Sequence, residues 1–454
     1  LLFLPFVLLF LSPLYFFIYQ KSTRQRLEKL QSYAIYWIVG LAFFLRVILI
    51  YLLNTTFTSD FEDVYFFARD ISIGMPFANL DKYPNIPLSL HLNMPALVLA
   101  AVFKVFGASI FVAKSFMVFL GVLSTFLVYV AGQVVSNEKV GIISAYFFAL
   151  LPSTILYSGT LSGDYLAYPP MLLTIILYGI FLKSRDGKFA HKLLIFIALG
   201  ASIGLMDWFR PLGIVLISSV VIATFMSKLG ELSIWRLLLL LTFTIISYMA
   251  TTQLALRISE RMFETKILSS SDRIGEYLIK GLSPAGHGHV TIEDNLIVRE
   301  TYARFGEDVF GAQKYLVNLA FSRIDQKDFI DLLVKKFDVI WASHDSLFDY
   351  SLLGSDDNQL VRLFQDFEAL LWLTLCLFIL FQSMVSFREL PPAVFVMQLF
   401  IMGFALLFLF MEVQNRYVAA IIPFSLLLSS LGIENFITRF LTTDNNSPTP
   451  RAPR

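Results

Sequence analysis

Runs of about 20 apolar residues, the length a helix needs to cross a bilayer, recur along this sequence at 1–20, 32–53, 109–133, 141–158, 167–183, 192–208, 211–227, 236–256, 367–387, 391–411 and 417–438. Composition agrees: 57% of residues are hydrophobic, 15% are charged and the mean hydropathy is +0.71, values outside the range of soluble globular chains. The expected fold class is an all-α polytopic membrane protein with about eleven transmembrane helices. Residues 1–20 lack the basic start and small-residue cleavage site of a signal peptide, and are read as a first span whose true N-terminus is lost. A formal net charge of +1 points to neither a nucleic acid nor an acidic protein as partner. Cys376 is the single cysteine and lies in an apolar run, which excludes a disulfide framework, a cysteine-based zinc site and an iron–sulfur cluster.

Charge sets the sidedness. KSTRQRLEK after the first run, KSRDGKFAHK at 183–192, KLGELSIWR at 228–236 and the tail after Arg439 are rich in Lys and Arg, and such loops stay cytoplasmic. All of them land inside only if the apolar stretch 95–107 does not cross. That stretch is short and carries Lys104, so it is expected to lie as a juxtamembrane or re-entrant helix at the outer interface. The chain then divides into an N-terminal transmembrane catalytic module at 1–256 with its first outer loop at 54–108, an extracytoplasmic block at 257–366, C-terminal spans at 367–438 and a disordered cytoplasmic tail at 439–454.

This topology gathers a second set of polar residues on the outer face: Asp60, Glu62, Asp63 and Asp70, Lys82, His91, Lys114, Asp164, Asp207, Arg210, and Glu412 to Tyr417. None of these enters the charge reasoning, so their convergence supports it independently. Acids directly after a bilayer-spanning run are expensive and mark function. Arg46, about two turns below the outer end of its span, is expected to snorkel or to pair with an acid.

The 257–366 block is large enough for a small α/β or mainly α domain. Helical periodicity runs through 296–322 and 325–337, VIWA at 339–342 resembles a short strand, and SPAGHGH at 283–289 reads as a loop. His287 and His289 could bind a metal together with Glu293 or Asp294, or supply loop polarity and substrate contact instead.

The outer-face set meets three chemical needs. A partly desolvated carboxylate, Asp60, can take a proton from an attacking hydroxyl. Arg210, Arg416, Lys114 and Lys82 are cations at the depth of a lipid phosphate. The 46 Phe and 19 Tyr can line a groove for a long lipid tail. These needs match transfer of a sugar from a polyprenyl phosphate to a hydroxyl, in which the phosphate leaves without a general acid. Neither G-x-x-x-x-G-K-[ST] nor G-x-G-x-x-G occurs, which speaks against a nucleotide-driven pump or a nucleotide-sugar enzyme.

In order, the chain shows Ser-Asp-Phe and an aromatic helix ending Ala-Arg-Asp at 59–70, Tyr83-Pro84, a Pro-headed helix ending Val-Phe-Gly at 105–107, Leu-Leu-Pro-Ser with Tyr157-Ser158 and a following Gly-Asp at 150–164, Arg210-Pro211, and Glu-x-x-x-Arg-Tyr at 412–417 with a downstream Pro423. This order resembles the C-type (GT-C) glycosyltransferases that use polyprenyl-phosphate sugars, in particular bacterial relatives of protein O-mannosyltransferases and aminoarabinose transferases. The resemblance covers most of 32–256 and the last spans. It implies a GT-C-like fold, an undecaprenyl-phosphate type donor, hexosyl transfer with inversion and an active site on the outer face of the plasma membrane. Asp60 is implied as base with Glu62 as its rival. Arg416 is implied to approach the lipid phosphate. From their outer-face positions, Arg210, Lys114, Lys82, Tyr417, Asp164, His91 and Tyr83 are the further candidates to contact substrate or phosphate. The acids at 60, 62 and 63 depart from the adjacent Asp-Glu of the mannosyltransferases, and the hydrophilic block is too short for their trefoil domain. A cell-envelope glycan or lipid-linked polymer is therefore a better expected acceptor than a protein. Some relatives use a divalent cation, for which Asp60, Asp63 and Asp164 could supply oxygens, although Asp164 could equally cap the helix starting at Tyr165. A transporter or lipid flippase is the rival class, but transporters place their polar residues near the midplane in repeated halves, and no halves repeat here.

Overall fold

The computed structural model describes residues 24–52, 57–75, 89–184, 188–227, 233–264, 267, 269–306, 308–324, 326–341, 359–385 and 391–440. Its α-helices are α1 Arg24–Leu52, α2 Asp60–Ser72, α3 Leu90–Phe106, α4 Ile110–Val135, α5 Glu138–Leu150, α6 Pro152–Leu156, α7 Gly163–Lys183, α8 Phe189–Phe209, α9 Gly213–Met226, α10 Ile234–Phe263, α11 Ile274–Gly281, α12 Ile292–Phe305, α13 Val309–Ser322, α14 Gln326–Trp341, α15 Gln359–Val385, α16 Pro392–Phe410 and α17 Ile422–Phe440. Among the described residues no strand forms.

Seven segments are long and apolar enough to cross a membrane: α4, α7, α8, α10, residues 362–385 of α15, α16, and Arg416–Phe440, where the 3₁₀ turn Asn415–Ile421 runs into α17. The pair α5 and α6 makes an eighth, bent by 66°. The expected eleven are not reached among the described residues. Residues 1–20 lie outside them, and the apolar part of α1 (Tyr33–Ile48) and the whole of α9 are shorter than a span. The chain is nonetheless an all-helical, multi-pass membrane protein.

The bend follows from Pro152, which lacks an N–H and opens a new helix. The Glu368 carboxylate of α15 accepts from the Ser153 N–H at 2.8 Å, and the Thr154 hydroxyl donates to the Phe148 and Leu151 carbonyls. The apolar stretch of the Arg416–Phe440 segment is 83% buried and sits inside the bundle, whereas those of α10 and α15 are 22% buried and lie at its periphery. There α8 and α10 meet over small residues. A Cβ at Gly200 would collide with the Thr244 carbonyl oxygen, and the Ser247 hydroxyl donates to the Ile197 carbonyl at 2.8 Å. Gly200→Val is expected to push the two helices apart and cost about 1–3 kcal/mol, read as a lower unfolding midpoint in detergent.

Arg46 neither snorkels nor pairs with an acid. It is fully buried and donates to the Tyr165 hydroxyl at 3.0 Å and to the Ala42 and Phe148 carbonyls. Among the described residues no carboxylate reaches it. Gly121 makes the room, because a Cβ there would lie 2.5 Å from the Arg46 Nε.

Helices α11–α14 share a separate apolar cluster that includes Leu278, Ile279, Val298, Leu316 and Leu332. The strand expected at 339–342 is not formed over 339–341, and Ala342 lies outside the described residues. Residues 339–341 are the last turn of α14, and Trp341 meets the Phe404 ring edge-on at 6.4 Å. A short run of apolar residues looks the same in either state, and packing against α16 decides it. The helical stretch expected over 296–322 is split at Gly306, whose φ of 55° ends α12, and the Asp308 side chain then caps α13 by accepting from the Gly311 N–H.

Candidate active site

Helix α2 starts at Asp60 with three acids, Asp60, Glu62 and Asp63, in its first turn, where the helix dipole favours negative charge. Phe61, Val64 and Tyr65 turn inward, and this fixes which acid faces the protein. Asp60 Oδ2 lies 3.5 Å from Arg416 Nη2, and the two residues are 356 positions apart in the chain. Glu62, two positions on and nearly opposite on the helix, is exposed. Burial, followed by the nearby charges of Asp60 and Glu62, pushes the Asp63 carboxyl above the usual range.

Arg416 is held from three sides. The Tyr157 hydroxyl, on the 3₁₀ turn that follows α6, donates to the Arg416 carbonyl at 3.1 Å, and the guanidinium stands 5.3 Å from the Phe61 ring and 6.0 Å from the Tyr417 ring. Arg210 stacks closer on the same Tyr417 ring, at 4.5 Å. The Tyr417 hydroxyl donates to Glu412 Oε1 at 3.1 Å, and Gln414 donates to the same oxygen at 2.9 Å. One tyrosine ring thus joins two guanidiniums.

Arg210 follows the end of α8 and reaches Asp164 at 3.0 Å. The contact is an ion pair without an aligned N–H, because Asp164 Oδ1 accepts no hydrogen bond. Two features aim it. The Asp207 carboxylate accepts from the Gly213 N–H at 2.7 Å and from the Tyr248 hydroxyl at 3.2 Å, which closes the turn carrying Arg210. Gly163 lets the start of α7 meet the end of α8, since a Cβ there would sit 2.6 Å from the Phe209 carbonyl oxygen. The alternative that Asp164 caps α7 is corrected: Ser162 is the cap, accepting from the Asp164 N–H.

His91, in the first turn of α3, is driven down to about 3 by burial and then by the positive charges of Arg210, Arg273 and Arg416. Its imidazole is therefore neutral near pH 7. His91→Gln should leave the shape of a pH–activity profile between pH 5 and 8 unchanged, as checked by initial rates. Lys114 is buried and lies 5.9 Å from the Tyr51 ring of α1. Lys82 and Tyr83 fall outside the described residues.

The carboxylates considered for a divalent cation do not assemble a site. Asp60 and Asp164 each face a guanidinium, and among the described residues no three His, Cys, Asp or Glu side chains converge. Glu293 and Asp294, the acids considered as metal partners of His287 and His289, lie in the first turn of α12 and instead pair with Arg323, at 3.7 and 2.8 Å.

No protein-family model and no curated protein matches the chain. Solved structures do. One is the oligosaccharyltransferase AglB from Archaeoglobus fulgidus in complex with an inhibitory peptide and a dolichol-phosphate, with TM-score 0.48 and 15% identity over 90% of this chain and 51% of that one. Another is ArnT from Cupriavidus metallidurans bound to undecaprenyl phosphate, with TM-score 0.40 and 13% identity over 89% of this chain and 78% of that one. The chain spans about half the length of the archaeal protein.

Phe61 and Tyr157 belong to stretches that the sequence singles out, but their contacts with Arg416 could not be read there. Arg273 of the turn before α11, which is bonded to Ser89 and to Glu276, looks like a surface charge.

Proposed function

We propose that the chain transfers a sugar from a polyprenyl-phosphate donor to a hydroxyl acceptor on the extracytoplasmic face, with Asp60 as general base. The observation that supports this most is the facing of Asp60 and Arg416 at 3.5 Å, with Arg210 on the shared Tyr417 ring. The acceptor O–H gives its proton to the Asp60 carboxylate, and its oxygen bonds to the anomeric carbon. The bond from that carbon to the phosphate oxygen breaks, and the electron pair leaves with the phosphate. Arg416 and Arg210 stabilise the developing charge. Attack and departure occur on opposite faces, so one displacement inverts the anomeric centre.

The Asp60–Arg416 pair is suited to being opened. At 3.5 Å, with Asp60 37% exposed, it is a weak ion pair. A lipid phosphate offers Arg416 a stronger, bidentate partner and leaves the Asp60 carboxylate free for the acceptor. On this reading Glu62 is a spectator on the outer side of α2. A hexosyl donor on undecaprenyl phosphate, a cell-envelope glycan or lipid-linked polymer as acceptor, and a plasma-membrane location complete the proposal, with 257–366 as a cap over the site.

The test is incubation of purified protein in detergent with a panel of radiolabelled polyprenyl-phosphate sugars and hydroxyl acceptors. The proposal expects release of polyprenyl phosphate and a product of opposite anomeric configuration. A protein that moves labelled lipid across a vesicle membrane without releasing the phosphate would be a flippase instead.

A further inference from the structure

Lys336 takes no part in the chemistry above, yet it is fully buried while its neighbour Lys335 pairs with Asp331 in solvent. Its ammonium donates to the Gly281 carbonyl at 2.8 Å and the Met411 carbonyl at 2.7 Å. Those carbonyls lie at the ends of α11 and α16, where helices leave acceptors unsatisfied. One cation thus ties the α11–α14 cluster to the chain segment leaving α16.

The junction is built for close contact. A Cβ at Gly281 would collide with the Met411 carbonyl carbon and the Phe410 carbonyl oxygen, so the two helix ends touch through backbone. Gly288, at φ +86°, lies over the Lys336 stem, where a Cβ would be 2.8 Å from Cγ. The Gly288 carbonyl accepts from the Val413 N–H at 2.9 Å, and the Tyr277 carbonyl accepts from the Glu412 N–H at 3.2 Å. Residues 411–413 are therefore held at four points by α11, α14 and the 283–289 loop, and Arg416 follows three residues later. Burial pushes the Lys336 ammonium down to about 7, against the pull of Glu412, so keeping it there works against stability near neutral pH.

We propose that Lys336 is a positioning residue: by holding the Gly281 and Met411 carbonyls it fixes the path of residues 411–417, and through that path the reach of the Arg416 guanidinium toward a lipid phosphate. The histidine-containing loop at 283–289 then belongs to this latch. The inference rests on the reading of Arg416 as a phosphate ligand.

The experiment is a double-mutant cycle on affinity for a polyprenyl phosphate, using the full chain in detergent, with Lys336→Met, Arg416→Lys and the double variant. Each single change should weaken binding by about tenfold, and the double variant should be within about threefold of the weaker single, because both remove one grip. Losses that multiply to about a hundredfold, or a Lys336→Met protein that binds normally while Arg416→Lys does not, would overturn the positioning role and leave the site reading intact. Unchanged binding by Arg416→Lys would overturn both. If Lys336→Met does not fold, Gly288→Ala presses on the Lys336 stem while keeping the ammonium. It should weaken phosphate binding in the same direction, and normal binding by that variant overturns the proposal.

Discussion

Asp60→Asn is expected to lower turnover of a polyprenyl-phosphate sugar by about 10³-fold, within the range for loss of a general base, while polyprenyl phosphate binds at least as tightly as before. The amide has the size of the carboxylate and keeps the start of α2, so the fold loses only a charge at a helix N-terminus, about 0.3–1 kcal/mol. It cannot accept the acceptor's proton. It also no longer competes for the Arg416 guanidinium, which stands 3.5 Å away, and this gives the sign of the binding change. Glu62→Gln, on the exposed side of the same turn, should change turnover by less than about threefold. Initial rates and equilibrium binding on the three proteins check both statements, and equal loss in the Glu62 variant would move the base.

Arg416→Ala is expected to be the second large effect. A charge-assisted bond to phosphate contributes about 1.5–3 kcal/mol, so donor affinity should fall about 10- to 100-fold, with a further loss in turnover because the leaving phosphate gains charge in the transition state. Stability should change little. The partner left behind, Asp60, is 37% exposed and water can solvate it. Arg210→Ala should cost more stability than Arg416→Ala, since it strands Asp164, whose side chain is 6% exposed. Thermal unfolding of the two variants in parallel reads this difference.

Much of this arrangement was legible in the sequence because charge in a membrane protein is sparse and its position is informative. Asp60, Asp164, Arg210 and Arg416 stand out against apolar runs, and the basic loops lead to the expectation that they share one face. Their pairing in space needs only that face and the helix order. What could not be read was set by packing. Lys336 and Lys335 are neighbours of the same type, and only the turn of α14 buries one of them. The 339–342 run looked like a strand because Val, Ile and Trp suit both states. Arg46 offered no sign that neutral acceptors on α1, α5 and α7 would satisfy it. Asp164 and Ser162 are both good caps, and the choice fell to Ser162 once Arg210 drew the acid away.

The central proposal is that a proton acceptor, Asp60, and a phosphate ligand, Arg416, face each other at 3.5 Å and part when donor arrives. Titration of polyprenyl phosphate into the unaltered protein, Asp60→Asn and Arg416→Ala tests it most directly. The account predicts binding by Asp60→Asn that equals or exceeds that of the unaltered protein, and binding by Arg416→Ala that is at least about tenfold weaker. Equal affinity in all three, or weaker binding in Asp60→Asn than in Arg416→Ala, would contradict it.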